Sequence, residues 1–489
     1  MHFSRKALSG VVLVLVVMFS AVGVVLANSI TVSISSQSPY VIPSQPGVVT
    51  KAILTVGDSV NLKPDGITPY RMVGIPDGLG AFDNGDGTFT LLMNHELGST
   101  NGVTREHGAQ GAFVSKWIIR TDDLVVLSGE DLIQNVMIWN NAAQQFEPAT
   151  VAQKTFARFC SADLPELSAF YDSASGQGYN GRIYLNGEES GAEGRAFAHL
   201  LDGTSYELPW LGKFSWENAV ANPATGAATV VAGLDDSSGG QVYFYAGTKT
   251  SSSNPIEAAG LAYGNLLSIK VQGLDAETDS TVLNGPVPFT VYNFGNVASM
   301  TGAQLEAASR EPSGAYRVTS FQRPEDGAWD PSNPNDFYFV TTASFTGNSR
   351  LWRVRFNDAS NPSAGGTIEM LLDGTEGPKM MDNITINTRG QVIIQEDPGN
   401  QPHIAKIWLY KIAKDELVEV AQHDPKRFTP GAPGFLTQDE ESSGIIDASS
   451  ILGEGWYLFD IQAHYALDTE LVQGGQLLAL HIPPGKIFK

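Results

Sequence analysis

Short runs in which apolar and polar residues alternate dominate the chain, and Gly, Pro, Asn and Asp separate them. The segment 323–342, RPEDGAWDPSNPNDFYFVTT, is typical, because it alternates, turns at Pro and Asn, and alternates again. A period of two is the pattern of half-buried β-strands, and turn residues between two such runs predict hairpins. Helical periodicity is scarce, and only the segments 304–310 and 425–428 are expected to form short helices. The pattern therefore predicts an all-β protein with short helical insertions.

A loose internal repeat appears when the chain is aligned on the segment RPEDGAWDP. Each copy has an acidic residue, a short strand, a turn, a second strand, a polar loop and a third strand. About six such units, which is the pattern of a β-propeller, follow one another along the chain. A β-sandwich is the structural alternative, but it would not require an acid at the same phase of each unit. We therefore predict a six-bladed β-propeller whose units are 75–97, 181–201, 216–247, 323–356, 381–412 and 440–482.

Acidic residues recur at two positions of these units, before the first strand and after the second. In a propeller blade the innermost strand starts at one face and the second strand returns to it, so both positions lie at the same end of the channel. The acids are therefore expected to converge on one channel mouth. The predicted group comprises Glu96, Glu188, Glu189, Glu217, Asp235, Asp236, Glu325, Asp326, Asp382, Glu396, Asp397, Glu440, Glu441 and Asp460, with Asn94, His95 and His464 beside them.

So many carboxylates in a partly desolvated mouth would repel one another by several kcal/mol. Bound cations would relieve that repulsion, and oxygen-rich sites with few histidines suit Ca²⁺, Mg²⁺ or Fe³⁺ better than zinc. Any single acid is equally consistent with a solvated loop carboxylate or a turn cap. Only the recurrence in phase favours a shared metal site.

The charge of the whole chain limits its partners. A formal charge of −22 over 489 residues makes nucleic acid and anionic membranes poor partners. An anionic small substrate would also be repelled, unless bound cations invert the local field. Cys160 is the only cysteine, so the chain has no intramolecular disulfide. Its thiol is either an inert buried group or a metal ligand.

The first residues, 1–27, have a short basic start, an apolar run and a small-residue end, which predicts a secretory signal peptide cleaved after Ala27. An uncleaved membrane anchor is the alternative, since the apolar run is near the length that spans a bilayer. We expect the mature chain to be exported to the periplasm or the extracellular medium and to be monomeric. It would consist of an N-terminal extension with the first strands, 28–69, and a single propeller domain, 70–489.

Five segments resemble, in the same order, the blade motifs of the PhoX-type alkaline phosphatase superfamily. The resemblance covers about residues 70–464, and differences in the export signal and around the cysteine are typical of a divergent branch. The superfamily also includes many members of unproven activity. The five segments are LLMNHEL (91–97), RFCSADL (158–164), GRIYLNGEES (181–190), RPEDGAWDP (323–331) and MMDNITINTRGQVIIQED (380–397).

The resemblance implies a six-bladed propeller with a mixed iron and calcium cluster, Fe³⁺ and Ca²⁺, at the channel mouth. It assigns iron binding to Cys160 and the Glu188-Glu189 pair, and iron or calcium binding to Glu217. The matching acids that line the same site are Glu96, Glu325 and Asp382.

The favoured function is therefore a secreted metal-dependent phosphoester hydrolase with a small-molecule phosphoester as substrate. Arg323 would bind the phosphate through its fork of donors, or else pair with its acidic neighbours. His95 would be a ligand or base, or else a residue that orients its loop. Two alternatives remain open, a calcium-dependent lactonase or esterase that leaves Cys160 unused, and a non-catalytic binding propeller stabilised by calcium. No nucleic acid partner is expected, and no membrane partner after signal cleavage.

Overall fold

The computed structural model describes residues 35–485 and residue 487. The predicted signal peptide therefore lies outside the described residues. Strands make up most of the regular structure, and the helices among the described residues are all short. The first four strands are β1 (Val41–Pro43), β2 (Val49–Thr55), β3 (Ser59–Leu62) and β4 (Pro69–Arg71).

The first half of the chain builds three groups of mostly antiparallel strands. The first contains β5 (Pro76–Asp83), β6 (Thr88–His95), β7 (Phe113–Arg120) and β8 (Val126–Asp131). The second contains β9 (Asn135–Asn140), β10 (Gln145–Pro148), β11 (Phe159–Asp163), β14 (Ile183–Glu188), β15 (Ala196–Leu200) and β16 (Thr204–Glu207), while β12 (Tyr171–Asp172) and β13 (Gln177–Gly178) form a ribbon of their own. The third contains β17 (Trp216–Ala221), β18 (Ala228–Asp235), β20 (Val242–Thr248), β21 (Asn265–Val271) and β22 (Val287–Gly295).

The second half of the chain builds three more groups of strands. The fourth contains β24 (Pro324–Trp329), β25 (Asp336–Thr341), β26 (Arg350–Phe356) and β27 (Gly366–Leu372), and β27 also pairs with β22. A small ribbon joins β19 (Ser238–Gly240) to β23 (Phe321–Gln322). The fifth contains β28 (Met381–Ile386), β29 (Gln391–Glu396), β30 (Lys406–Lys411) and β31 (Glu416–His423), and the sixth β32 (Glu440–Asp447), β33 (Trp456–Ala466) and β34 (Gln473–His481).

The two ends of the described chain meet in the last two groups. Strand β1 pairs with β31, and β2 pairs with β34, both antiparallel. Strands of the predicted extension 28–69 therefore form outer edges of the fifth and sixth groups. This pairing ties the start of the chain to its end and closes the ring of sheets.

The innermost strands of the six groups are β5, β11, β17, β24, β28 and β32. Each contacts the next, and β32 contacts β5, so the inner strands surround a central channel. Buried apolar side chains fill the space between neighbouring groups; for example, Phe244 and Phe337 pack edge to face at 5.7 Å between the third and fourth. Each such buried ring contributes roughly 1.5–3 kcal/mol. The predicted all-β propeller fold with short helical insertions is confirmed.

Short helices occupy the insertions. One begins at a capping box, in which the Thr301 side chain accepts from the Gln304 N–H and the Gln304 side chain accepts from the Thr301 N–H. Within the described residues no helix is long and apolar enough to cross a membrane. The α-helices are α1 (Pro255–Ala258), α2 (Gly302–Ala308), α3 (Pro425–Phe428) and α4 (Ser449–Leu452), and the 3-10 helices are Leu167–Ala169, Pro209–Leu211, Pro362–Ala364 and Ile412–Lys414.

Candidate metal centre

One backbone hydrogen bond recurs at the mouth of six hairpins. In each, the N–H at the end of the second strand donates to the C=O of the residue just before the first strand. The shared bond places equivalent residues at the same height on one face of the propeller. The donor and acceptor pairs are Glu96 and Ile75 (2.8 Å), Glu189 and Arg158 (2.8 Å), Asp236 and Ser215 (2.9 Å), Thr342 and Arg323 (3.0 Å), Asp397 and Met380 (3.0 Å), and His464 and Asp439 (2.9 Å).

Four inner strands share a second recurring feature, a β-bulge directly after their first residue. The register of β11, β17, β24 and β28 shifts there, so two residues lie opposite one residue of the partner strand. A bulge re-aims the side chains that it contains. The first bulge residue of each strand lines the channel mouth, and these residues are Cys160, Glu217, Glu325 and Asp382.

The second bulge residues lie one layer below and hydrogen-bond to one another. Ser161 Oγ donates to Glu217 Oε1 at 2.8 Å, and Asn383 Nδ2 donates to Ser161 Oγ. Asn218 Nδ2 donates to Asp326 Oδ1 in the same way. This buried layer holds Glu217 in place from beneath.

Residues at the mouths of the hairpins and the first bulge residues together line a pocket of about 190 Å³ at the channel mouth. Eight carboxylates and one thiol face three basic side chains there, which leaves an excess of five acidic groups over basic ones. The lining residues are Glu96, Glu189, Glu217, Asp236, Glu325, Asp382, Asp397, Glu441, Cys160, Arg158, Arg323, His464 and Gln462.

Three groups of ligand atoms in this region lie close enough to hold an ion. In each group one atom per residue lies within 4.8 Å of the others. The groups share members, since Cys160 belongs to two and Glu217 to two. They are Asp77, Glu96 and Cys160; Cys160, Glu189 and Glu217; and Glu217, Glu325 and Asp382.

Burial and mutual repulsion disfavour the charged forms of these groups. Burial, together with the nearby Asp236, raises the pKa of Glu217 to about 7. Burial also raises the pKa of Asp382 well above its ordinary value, and Glu217 adds to this. The pKa of the Cys160 thiol is raised by burial and by Asp77. Without cations, the pocket therefore retains protons that a bound metal ion would displace.

The three basic side chains each pair with acids of the pocket. Arg158 Nη2 lies 2.8 Å from Glu96 Oε1 and also bonds to Glu189. It therefore connects the first group of strands to the second. His464 Nε2 lies 3.5 Å from Glu441 Oε2. Burial alone would lower the pKa of His464, but Glu441 raises it to about 10.

Arg323 occupies the position equivalent to Arg158, directly before the inner strand of the fourth group of strands. It donates from Nε and Nη2 to both oxygens of Asp236 at 2.8 Å, and its Nη2 lies 2.9 Å from Glu325 Oε1, outside hydrogen-bonding alignment. Both Arg158 and Arg323 have left-handed backbone, with φ of 50° and 60°. Such a conformation is strained in residues other than glycine and is concentrated at functional sites.

Most of the sequence-predicted site residues meet in this pocket. Of the nine residues given a metal-binding or catalytic role, two do not, because each is the last residue of its strand while the next residue lines the pocket, and successive side chains of a strand point to opposite faces. Glu188 accepts from Arg195 Nε and Nη2 at 2.7 and 2.8 Å. The residues that do line the pocket are Glu96, Cys160, Glu189, Glu217, Arg323, Glu325 and Asp382. Of the wider predicted group, Asn94, Asp235, Asp326, Glu396, Glu440 and Asp460 also lie outside the pocket lining.

His95 is the other predicted residue outside the pocket. Its Nε2 lies 2.9 Å from Ser115 Oγ, its Nδ1 lies 3.3 Å from the Gly74 carbonyl, and its ring stacks on Phe113 at 4.2 Å. Burial lowers its pKa to about 3. This neutral, enclosed imidazole does not fit the predicted role of ligand or base, and it fits the alternative role of orienting its loop. Glu188, held by Arg195, likewise does not fit the predicted role of metal ligand.

Sequence reasoning missed Arg158, Gln462 and Asp77. Gln462 Nε2 donates to Asp77 Oδ2 at 3.0 Å and to Glu96 Oε2 at 2.9 Å. Asp77 Oδ1 accepts from the next N–H at 2.6 Å, just as Asp326 Oδ1 does at 2.7 Å. The sequence pattern that could have identified Asp77 is the similarity of Pro-Asp-Gly at 76–78 to Pro-Glu-Asp-Gly at 324–327.

Comparison with known proteins supports the fold. No protein-family model matches the chain, and no curated protein matches it in sequence. Among solved structures, Pseudomonas fluorescens PhoX in complex with vanadate, a transition state analogue, matches with a TM-score of 0.65 and 11% identity, covering 92% of this chain and 97% of that one. The predicted resemblance to PhoX is thereby confirmed for the fold. A putative 6-phosphogluconolactonase from Bacteroides uniformis matches at a TM-score of 0.32 and 14% identity, over 75% of this chain and 94% of that one, and supports no inference.

Proposed function

We propose that the protein is a metal-dependent phosphoester hydrolase of the alkaline phosphatase type and that the channel mouth is its active site. The observation that carries this proposal is the excess of five acidic groups, plus a thiol, in a buried pocket of about 190 Å³. Buried like charges are stable only when they are neutralised or compensated. Bound cations provide that compensation and create the positive field that an anionic substrate needs.

The donor atoms fit the predicted metals. Carboxylate oxygens are the ligands that Ca²⁺ prefers, and a thiolate among them favours a softer ion such as iron. The groups that contain Cys160 would hold iron, with Glu189 and Glu217 or with Asp77 and Glu96. The group of Glu217, Glu325 and Asp382 offers oxygen only and would hold calcium. When bound, such ions supply Lewis acidity and a nucleophilic water of lowered pKa.

The chain's own contribution is to bind and orient the phosphate. Arg323 keeps Nη1 without a partner among the described residues, and a third of its side chain is exposed. Its two hydrogen bonds to Asp236 fix the plane of the guanidinium. Nη1 is therefore already oriented to donate to a phosphate oxygen. Both predicted roles of Arg323, ion pairing and phosphate binding, are compatible with this geometry.

The likeness to PhoX supports the reaction class, because that protein was solved with a transition state analogue, vanadate, bound. Phosphomonoesters are accordingly the first substrates to test. Export to the periplasm or the extracellular medium, and a monomeric state, remain part of the proposal and rest on the sequence pattern.

The deciding experiment combines metal analysis with phosphatase assays on natively purified protein. We expect iron and calcium together, and hydrolysis of p-nitrophenyl phosphate. Changing even an outer partner of a metal ligand costs about 10- to 100-fold, so Glu217→Gln should lower the rate by at least about 100-fold. Glu166→Gln is the matched control, because Glu166 is exposed and makes no cap hydrogen bond.

Three outcomes would contradict the proposal. Protein loaded with iron and calcium that opens lactones but hydrolyses no phosphoester would be a lactonase. Calcium without any hydrolytic activity would indicate a binding propeller. A Glu217→Gln enzyme as active as the Glu166→Gln control would remove the pocket from the mechanism.

A further inference from the structure

The opposite end of the same channel contains a second pocket of about 190 Å³. It lies where the inner strands end, whereas the metal-binding pocket lies where they begin. Val220 lies three positions after Glu217 along β17, a rise of at most about 10 Å at 3.3 Å per residue. The two pockets share no lining residue, and the second extends from the layer of Asn218 and Asp326 toward the ends of the inner strands.

Apolar side chains from several inner strands line most of this second pocket, and Asp163, Asn218, Asp326 and Thr385 add polar atoms to it. Val220 lies on β17, Ala328 on β24, Ile384 and Ile386 on β28, and Ile445 on β32. These apolar side chains suit an apolar body, and an apolar cavity of about 150 Å³ is known to accommodate a benzene ring.

One carboxylate with a free oxygen faces this apolar space. Asp163, at the end of β11, accepts from the Ala221 N–H at 2.8 Å through Oδ2, and among the described residues nothing donates to Oδ1. The second acid, Asp326, is already satisfied by Asn218, Gly327 and Ile384. No Lys, Arg or His lines the described pocket. Burial, with Asp326 nearby, raises the pKa of Asp163 to about 7.

We propose that this pocket binds a small organic cation, a primary ammonium group on an apolar body of about six carbons. The ammonium would pair with Asp163 Oδ1, and the carbon body would lie against Val220, Ala328 and Ile384. The pocket should select cations over anions, because an anion would meet the Asp163 carboxylate and no basic side chain among the lining residues. Such binding is also independent of the phosphatase proposal, since no residue lines both pockets.

Ligand-observed NMR titration of the purified protein at pH 8 tests this with cyclohexylammonium and its neutral counterpart, cyclohexanol. Hydrogen bonds to charged groups contribute about 1.5–3 kcal/mol, so the amine should bind at least about tenfold more tightly than the alcohol. Asp163→Asn should weaken amine binding by the same factor. Glu166→Gln, three residues away and exposed, should leave it unchanged.

A second variant keeps the Asp163 carboxylate but fills the pocket that would hold the carbon body. Ala328→Leu places three more carbons in the pocket, so it should abolish amine binding while far-UV circular dichroism stays unchanged. Equal affinity for amine and alcohol, no saturable binding by the wild type, or full affinity in either the Asp163→Asn or the Ala328→Leu protein would overturn the proposal.

Discussion

The Glu217→Gln substitution should have opposite effects on the stability of the metal-free and the metal-loaded protein. In the metal-free pocket Glu217 is 1% exposed, and burial and Asp236 raise its pKa from 4.5 to about 7. Each pKa unit corresponds to about 1.4 kcal/mol, so ionising Glu217 destabilises the folded state by about 3 kcal/mol. Glutamine keeps the acceptor for Ser161 Oγ and removes the charge.

The sign of the pH dependence follows from the direction of the shift. The folded state holds the Glu217 proton more tightly than the unfolded state, so the penalty is absent below pH 4.5. It grows as the pH rises from 4.5 to about 7 and is complete above 7. The metal-free variant should therefore be about 3 kcal/mol more stable than the wild type at pH 8, and the difference should fall below about 1 kcal/mol at pH 5.

Thermal unfolding with a chelator, at one scan rate, measures this effect. The unfolding entropy of about 2.1 cal/mol/K per residue makes 3 kcal/mol equivalent to about 3 °C for a chain of this size. With iron and calcium bound, the variant has lost a ligand and should melt below the wild type. A metal-free variant that is no more stable than the wild type at pH 8 would refute the view that the carboxylates repel one another.

Three further predictions concern single groups and the metals. Cys160→Ser should lose iron and its visible thiolate-to-iron absorption but retain its far-UV spectrum; unchanged iron content would make the thiol an inert buried group. Chelation of the wild type should lower its melting temperature, because ions bound only by the folded state stabilise it, and unchanged melting after proven metal loss would count against the centre. His95→Gln should melt earlier but keep wild-type metal content, since its ring bonds to Ser115 and Gly74 and does not line the metal-binding pocket; loss of metal would instead show that His95 supports the metal centre.

Sequence alone predicted the architecture and the end of the channel where the acids meet. Alternation identified the strands, and the phase of the acids placed Glu217, Glu325 and Asp382 at one mouth. The pairing of β2 with β34 was not predictable in the same way, because strands of residues 41–55 carry no acid of the repeat. The insertion of β9 beside β16, in parallel, also leaves no local pattern in the sequence.

The choice between adjacent residues was harder to predict. In Asn-His-Glu at 94–96 and in Glu-Glu at 188–189, only the last residue lies beyond the strand end and lines the pocket. A shift of one residue in the assumed strand end exchanges the two faces. Composition carries no information about that shift, so the sequence could not show that the His95 and Glu188 side chains lie outside the pocket.

The bulges explain how one strand supplies two layers of the channel. Strict alternation would direct only one of Glu325 and Asp326 toward the channel, yet the register shift between Pro324 and Gly327 brings both there. Glu325 then lines the metal-binding pocket, while Asp326 binds the backbone of the neighbouring strand through Ile384 N–H at 2.9 Å. After the bulge, alternation resumes and places Ala328 in the apolar pocket at the opposite end. Pairs of consecutive polar residues in otherwise alternating strands are thus the sequence pattern of this centre, and that pattern needs no overall sequence identity to persist.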